Sequence, residues 1–335
     1  MKFQCLKANC KTVHLGGFSP KLEPALFVNS GDRIEVETYT GFYVCDRAPE
    51  EFLTPELLNI YHNLPPERKV GTGPHLLTGP IYIREAQPGD VLEVRLLKIT
   101  PRLPMGFNAI RPGWGTLPQQ FSEAKLRFIP LDLERKIAEF PPKSGMQIPL
   151  QPFFGILGVA DGEVNRSSVP PGVYGGNMDN RLIQAGTRVF LPVLVPGALF
   201  SIGDGHSVQG DGEVDVTAIE TSMNGTIDLV LHRGFKLPTP MAETPTHLII
   251  MGFGETLDLA LENAVQQAID VLKILTGIDG EDAYVLCSLA VDFRITQAVN
   301  RPQKGVHGMI PKSILPDDCN YLKSEWDRIM SGEGG

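Results

Sequence analysis

The chain has 335 residues, 42% of them apolar and 21% charged, which supports a sizeable core in one large domain or two smaller ones and excludes a disordered chain. With 30 Lys and Arg against 39 Asp and Glu the net charge is −9, which argues against nucleic acid and anionic membrane surfaces as partners. No apolar run reaches the ~18 residues of a membrane span. The first fifteen residues lack the apolar stretch of a signal peptide, and Cys5, Cys10, Cys45, Cys287 and Cys319 show no CxxC spacing, so a cytoplasmic protein without a disulfide framework is expected.

The 35 Gly and 28 Pro leave little room for long helices and point to many short strands joined by turns. In chain order, strands are expected at 13–18, 81–84, 155–160, 199–202, 213–220, 226–231, 247–251 and 286–294. A turn residue followed by Gly-Asp and alternating apolar positions recurs at Ser30-Gly-Asp-Arg-Ile-Glu-Val-Glu37 and at Pro88-Gly-Asp-Val-Leu-Glu-Val-Arg95. A looser copy begins at Ala185-Gly-Thr-Arg188. The turn sets the reversal, and the period of two lays one face on a core. The segment 117–152 alternates poorly and reads as a connection or as edge hairpins. A short helix is expected near 55–62. The principal helix is expected over 256–276, where Leu257, Ala260, Leu261, Ala264, Val265, Ala268, Ile269, Leu272 and Leu275 form an amphipathic stripe, Thr256 caps the start and Gly277 ends it. The fold class is therefore mainly β, with a β-rich unit at 1–145 and a second at 146–335, or one intertwined domain in their place.

The densest polar stretch is Ser201-Ile-Gly-Asp204-Gly-His206-Ser-Val-Gln209-Gly-Asp211-Gly-Glu213. Its glycines suit a loop whose backbone passes close to something. Asp204 and His206 are two apart and share a face of an extended backbone, as do Asp211 and Glu213. A carboxylate and an imidazole converging in this way suit a divalent metal; a solvated turn is the plainer reading. Gly175-Gly-Asn-Met-Asp179 is a turn signal first and a further acidic ligand second. His75, set among Gly and Pro, and His14, on an early strand, are each scaffolding or ligand. No P-loop, GxGxxG, GxSxG or HExxH is present, so a metal-activated water is favoured over a side-chain nucleophile.

These segments resemble the acetamidase/formamidase family. The likeness rests on Thr12-Val-His-Leu-Gly-Gly-Phe18, on 30–38, on His75-Leu-Leu-Thr-Gly-Pro80 and its continuation to Arg95, on Gly175-Gly-Asn-Met-Asp-Asn180, on 191–213 and on Ala290-Val-Asp-Phe-Arg-Ile-Thr-Gln297. The resemblance implies hydrolysis of small aliphatic amides to ammonia and a carboxylate. It also implies a sandwich-like β unit beside a smaller barrel-like one, a homo-oligomer (a dimer or larger), and a divalent ion, zinc first and calcium second. His75, Asp179, Asp204 and His206 are then the expected ligands, with Glu213 as general base and Asp204 beside it. Asn177, Gly203 and Gly205 would contact substrate, the glycines by holding the oxyanion on backbone N–H groups. Glu37, His14 and Asp211 are outer candidates. Gln87, Ser207-Val208 and Asp215 depart from the family's usual residues, which bears on substrate choice. The alternatives are a non-catalytic calcium-binding β protein and a hydrolase of a larger amide or a cyclic imide.

Overall fold

The computed structural model describes residues 2–316 apart from 163, 235 and 236. Cys319 and the end of the expected second unit lie outside them. The other four cysteines are free thiols. Two sheets are stacked face to face. One has nine strands in the order Phe3–Leu6, Asp32–Glu37, Met223–His232, Val91–Pro101, Arg188–Pro192, Met241–Glu243, His247–Gly254, Lys304–Pro311 and Asp292–Gln297. The other runs Pro171–Gly172, Gly175–Asn177, Phe153–Gly158, Phe200–His206, Leu76–Ile83 and Val13–Leu15, with Leu26–Val28 also beside Leu76–Ile83. Their facing sides supply the main core, for example Ile34, Val36, Leu92, Val94 and Leu229 against Leu77, Ile81, Phe154, Ile156 and Ile202. Both sheets draw strands from either side of residue 145, and in the nine-stranded one Met223–His232 lies between Asp32–Glu37 and Val91–Pro101.

The recurring turn works as its composition dictates. Gly31, Gly89 and Gly186, each just before a strand, all take a positive φ of 85–97°, which L side chains rarely adopt. After the first of these, Asp32, Ile34 and Val36 are buried while the residues between them are not. The mainly β reading is borne out, with antiparallel pairing except where Phe3–Leu6 runs parallel to Asp32–Glu37 and Leu26–Val28 to Leu76–Ile83, but no closed barrel is found among the described residues. In place of the smaller barrel-like unit stands an open four-stranded sheet, Gln147–Pro149, Ile137–Glu139, Lys125–Asp132 and Met105–Ile110. Two of its strands have only three residues, too few to curl round and close.

Helix α1 spans Pro55–Asn63 and α2 spans Leu257–Thr276, capped by Thr54 and Thr256, whose side chains accept from the N–H groups of Leu57 and Leu259. The 286–294 segment departs from expectation. Helix α3, Gly280–Ala290, occupies its first half, and the strand begins only at Asp292. Asp279 caps α3, and Ala283 and Cys287, one helical turn apart, pack with Leu272 and Leu275 of α2. The residues 286–290 hold no β-branched side chain, and the helical spacing of Ala283 and Cys287 against α2 sets this half as helix. No helix among the described residues is long and apolar enough to cross a membrane.

Candidate active site

The Gly-Asp-Gly-His segment is a strand, not a loop. Phe200–His206 is buried at every residue and pairs with Phe153–Gly158 on one side and Leu76–Ile83 on the other. Its glycines are required by neighbouring chain. A Cβ on Gly203 would lie 2.5 Å from the Leu76 carbonyl oxygen, and one on Gly205 would lie 2.4 Å from that of Thr221. The Gly205 N–H is spent on Thr40 Oγ1, and neither glycine lines the cavity below. Between them Asp204 sits at φ 57°, Asp179 at 46° and Glu213 at 44°. Left-handed backbone at three non-glycine residues costs roughly 1 kcal/mol or more each, and such strain clusters at functional sites.

Two of these carboxylates, together with that of Glu220, converge on one imidazole. His206 Nε2 lies 3.3 Å from Asp204 Oδ2, 3.3 Å from Glu220 Oε2 and 3.8 Å from Asp179 Oδ1. Ligand atoms of Asp179, His206 and Glu213 fall within 4.8 Å of one another, and so do those of Asp204, His206 and Glu220. His75 Nε2 approaches Asp204 Oδ2 at 3.9 Å, while its Nδ1 meets Ser168 Oγ at 2.9 Å. Gly155 forms the floor. A Cβ there would lie 2.4 Å from Asp179 Oδ1 and 2.9 Å from Asp204 Oδ2.

The tautomer of His206 follows from its other nitrogen. Gln209 Nε2 donates to the Asp179 carbonyl at 2.8 Å, so Gln209 Oε1 must accept from His206 Nδ1, also at 2.8 Å. A neutral His206 then turns a lone pair on Nε2 toward three carboxylates, an arrangement that needs a cation at its centre. A proton is one solution. Burial opposes it, but Glu220 and Asp204 outweigh burial and raise the His206 pKa well above its usual value. A divalent ion is the other. Asp179 Oδ1, His206 Nε2 and Glu213 Oε2 are buried without a hydrogen-bond partner, so the residues fit a metal.

The carboxylates carry the strain of sharing one buried space. Burial pushes Asp179 up to about 6 and Glu220 up to about 7. Glu213 rises well above the usual range, from burial and then from the Asp179 charge. Asp204 goes the other way: burial would raise it, but the imidazoles of His75 and His206 hold it below the ordinary carboxylate range. Burial lowers His75.

A cavity of about 260 Å³ opens above this floor. It is lined by His75, Asn177, Asp179, Asp204, Glu213 and Glu220, together with Tyr43, Arg111 and Trp114. The structure thus brings together Asp204, His206, Asp179, His75, Glu213 and Asn177. The outer candidates lie elsewhere. Glu37 pairs with Arg102 Nη1 at 2.9 Å, His14 Nε2 meets Ser201 Oγ at 2.8 Å, and Asp211 lies 4.0 Å from Arg294 Nη1. The segment 213–220, expected as a strand, is an irregular loop that turns Glu213 inward through positive φ at Gly212, Glu213 and Val216.

Sequence reasoning missed Glu220, Gln209, Asn300 and Gly155. Gln209, three residues after His206, was open to discovery within the same motif. Glu220 and Asn300, whose Nδ2 donates to Asp179 Oδ2 at 2.5 Å, stand in no local pattern.

Fold and site together define a β-sandwich protein with an enclosed carboxylate–imidazole centre. Residues 70–165 and 160–317 match the acetamidase/formamidase family, and the chain belongs to that family. It is similar over 94% of its length to the crystal structure of a predicted acetamidase/formamidase from the thermophile Thermoanaerobacter tengcongensis, with a TM-score of 0.80, 30% identity and 97% of that chain covered. It is 27% identical to a formamidase of Methylophilus methylotrophus over 319 residues, 73% of this chain and 78% of the other. A Schizosaccharomyces pombe protein assigned as a formamidase is 29% identical over 233 residues, 50% of this chain. The match spans only 56% of that relative's length.

Proposed function

We propose that this chain is an amidase that splits the C–N bond of small linear amides, of the acetamide and formamide type, into ammonia and a carboxylate, with a divalent ion held by Asp179, Asp204 and His206. The observation that carries this reading is the set of unpartnered buried atoms, Asp179 Oδ1, His206 Nε2 and Glu213 Oε2, beneath a small cavity in a chain of this family. His206, common to both ligand triplets, favours zinc over calcium, which takes oxygen donors throughout. When bound, such an ion supplies Lewis acidity toward a carbonyl oxygen and makes water more acidic.

The chain's own groups do the rest. Asn177 Nδ2 is held by the Val169 carbonyl at 3.1 Å, which keeps its unpartnered Oδ1 for the N–H of the substrate amide. Glu220 Oε1 accepts from the Ala218 N–H, whereas Glu213 Oε2 is free and Glu213 lines the cavity. With the Asp179 charge that raises Glu213 offset by a bound cation, Glu213 would be ionised and would take the proton of the attacking water as the water oxygen bonds to the carbonyl carbon. It returns that proton to the amide nitrogen as the C–N bond breaks, since nitrogen leaves poorly until protonated. His75 steadies Asp204, and Gln209 holds the ring of His206.

The test measures metal content and ammonia release from acetamide and formamide. Chelation should abolish turnover and zinc should restore it. Glu213→Gln keeps the shape of the side chain but carries no proton at neutral pH. It should retain metal and lose about 10²–10⁴-fold in kcat. Full activity in protein shown by elemental analysis to be metal-free would overturn the metal assignment. A normal rate in Glu213→Gln would remove Glu213 as the proton carrier.

A further inference from the structure

We infer that Arg111 is a carboxylate-recognising residue, and that the preferred substrate is an amide carrying a second, anionic group at the end remote from the scissile bond, such as the monoamide of a short dicarboxylic acid. This rests on the amidase reading above.

Arg111 lines the same cavity as Asp179, Asp204, Glu213 and Glu220, and it is the one Lys or Arg among the described residues that does. Yet no carboxylate of the described residues lies within 4.0 Å of its guanidinium, so the acidic floor does not neutralise it. The guanidinium instead lies over the ring of Tyr43, 4.5 Å from the centroid. Stacking occupies its face and one N–H is shared with the Tyr43 hydroxyl, while the remaining N–H groups can take a planar anion, a partner that arginine binds through parallel hydrogen bonds.

The chain holds this group in place. Arg111 follows the strand Met105–Ile110 and opens a turn in which the Trp114 N–H donates to the Arg111 carbonyl at 3.1 Å. The Thr116 N–H then donates to the Val214 carbonyl at 2.9 Å, tying this turn to the loop that carries Glu213. Asn108 Nδ2 reaches across to Asp215 Oδ2 at 3.0 Å and Thr217 Oγ1 at 2.9 Å. The cation and the carboxylates thus border one space on segments tied to each other.

That space is larger than a two-carbon amide needs. A water needs roughly 10–15 Å³ of such space, so the four non-hydrogen atoms of a two-carbon amide leave most of the 260 Å³ unfilled. Arg111, Tyr43 and Trp114 border the same space.

The experiment compares kcat/KM for succinamate and acetamide, and calorimetric binding of succinate and acetate, in the metal-loaded wild type, Arg111→Gln and Arg111→Lys. Wild type should prefer succinamate, and the succinamate-to-acetamide ratio should fall about tenfold or more in Arg111→Gln, the size expected for loss of a charge-assisted hydrogen bond. Arg111→Lys should recover part of the ratio. Succinate should bind more tightly than acetate, in an Arg111-dependent way. If Arg111 only balances the acidic floor, both substrates fall in proportion and the ratio stays constant, which overturns the inference. Hydrolysis of acetamide with no preference for succinamate also overturns it and leaves the amidase reading standing. Arg111-dependent succinate binding without hydrolysis of any amide removes the amidase reading and supports the anion site.

Discussion

Gly155 shows how much of the centre depends on an atom that is not there. It lies in the strand paired with Phe200–His206, and its missing side chain is the space between Asp179 and Asp204. Gly155→Ala would place a methyl 2.4 Å from Asp179 Oδ1 and 3.0 Å from His206 Cε1. Asp179, already at a strained φ of 46°, has little room to yield. Displacing one ligand by a fraction of an ångström should lower metal affinity about 10–100-fold, the scale seen when ligand orientation is lost. Competition with a chromogenic chelator measures this, and circular dichroism should show an unchanged β fold. Wild-type metal affinity in Gly155→Ala would show that the ion binds away from this floor. No periodicity marks this glycine, because the residues it makes room for are 24 and 49 positions away. The Asp204–His206 pair, by contrast, was legible from its two-residue spacing, although left-handed backbone at Asp204, not the extended chain that spacing implies, carries it into the site.

At the scale of elements, α2 is held to the nine-stranded sheet by small residues on both partners. Gly252 and Gly254 of the strand His247–Gly254 face Ala260 and Ala264 of the helix, which are buried. A Cβ on Gly252 would lie 2.2 Å from the Ala260 carbonyl oxygen and 2.3 Å from the Ala264 nitrogen. Backbone cannot swing aside as a side chain does, so Gly252→Ala must push the helix outward. Overpacking of this kind costs about 1–3 kcal/mol. The midpoint of denaturant unfolding should fall accordingly while metal content and ammonia release stay at wild-type levels, since α2 lies outside the site. An unchanged midpoint would mean that the helix rides loosely on the sheet. The helix itself was legible from its stripe and caps, whereas α3 was not. Its sequence Ala-Tyr-Val-Leu-Cys-Ser-Leu reads equally as strand, and only packing against α2 decides it.

For the whole molecule, buried neutral histidines make stability depend on pH. His14 is fully buried between the strands of the smaller face, with Nδ1 unpartnered, and burial lowers its pKa from 6.5 to about 3. The unfolded chain binds a proton there near pH 6.5 and the folded one does not. The stability that depends on neutral His14 is therefore complete above about pH 6.5 and is lost progressively as pH falls toward 3. By pH 4.5 the loss amounts to about 2–3 kcal/mol, at 1.36 kcal/mol per unit. His14→Gln can keep the bond to Ser201 Oγ and cannot titrate. Unfolding free energies measured between pH 7.5 and 4.5 should fall less steeply in His14→Gln than in wild type, and equal slopes would mean that His14 is protonated in the fold. The same burial explains why His14 is a poor metal candidate: its one reachable nitrogen is already paired inside the sandwich.

What the sequence determined by itself is what local chemistry dictates. Turn glycines set the starts of strands, a period of two marked which residues face the core, the capped amphipathic stripe defined α2, and Asp204 with His206 announced the centre. What only the tertiary structure decided is which distant residues join them. Glu213 and Asp211 have the same spacing and similar chemistry, yet one faces the cavity and the other an arginine on the outside, because the left-handed turn at Gly212 and Glu213 sends them apart. Glu220, Asn300 and Gly155 reach the site through strand pairing and loop closure over scores of residues. Convergence of that kind is a property of register and packing between segments, and it leaves no periodic trace along any one of them.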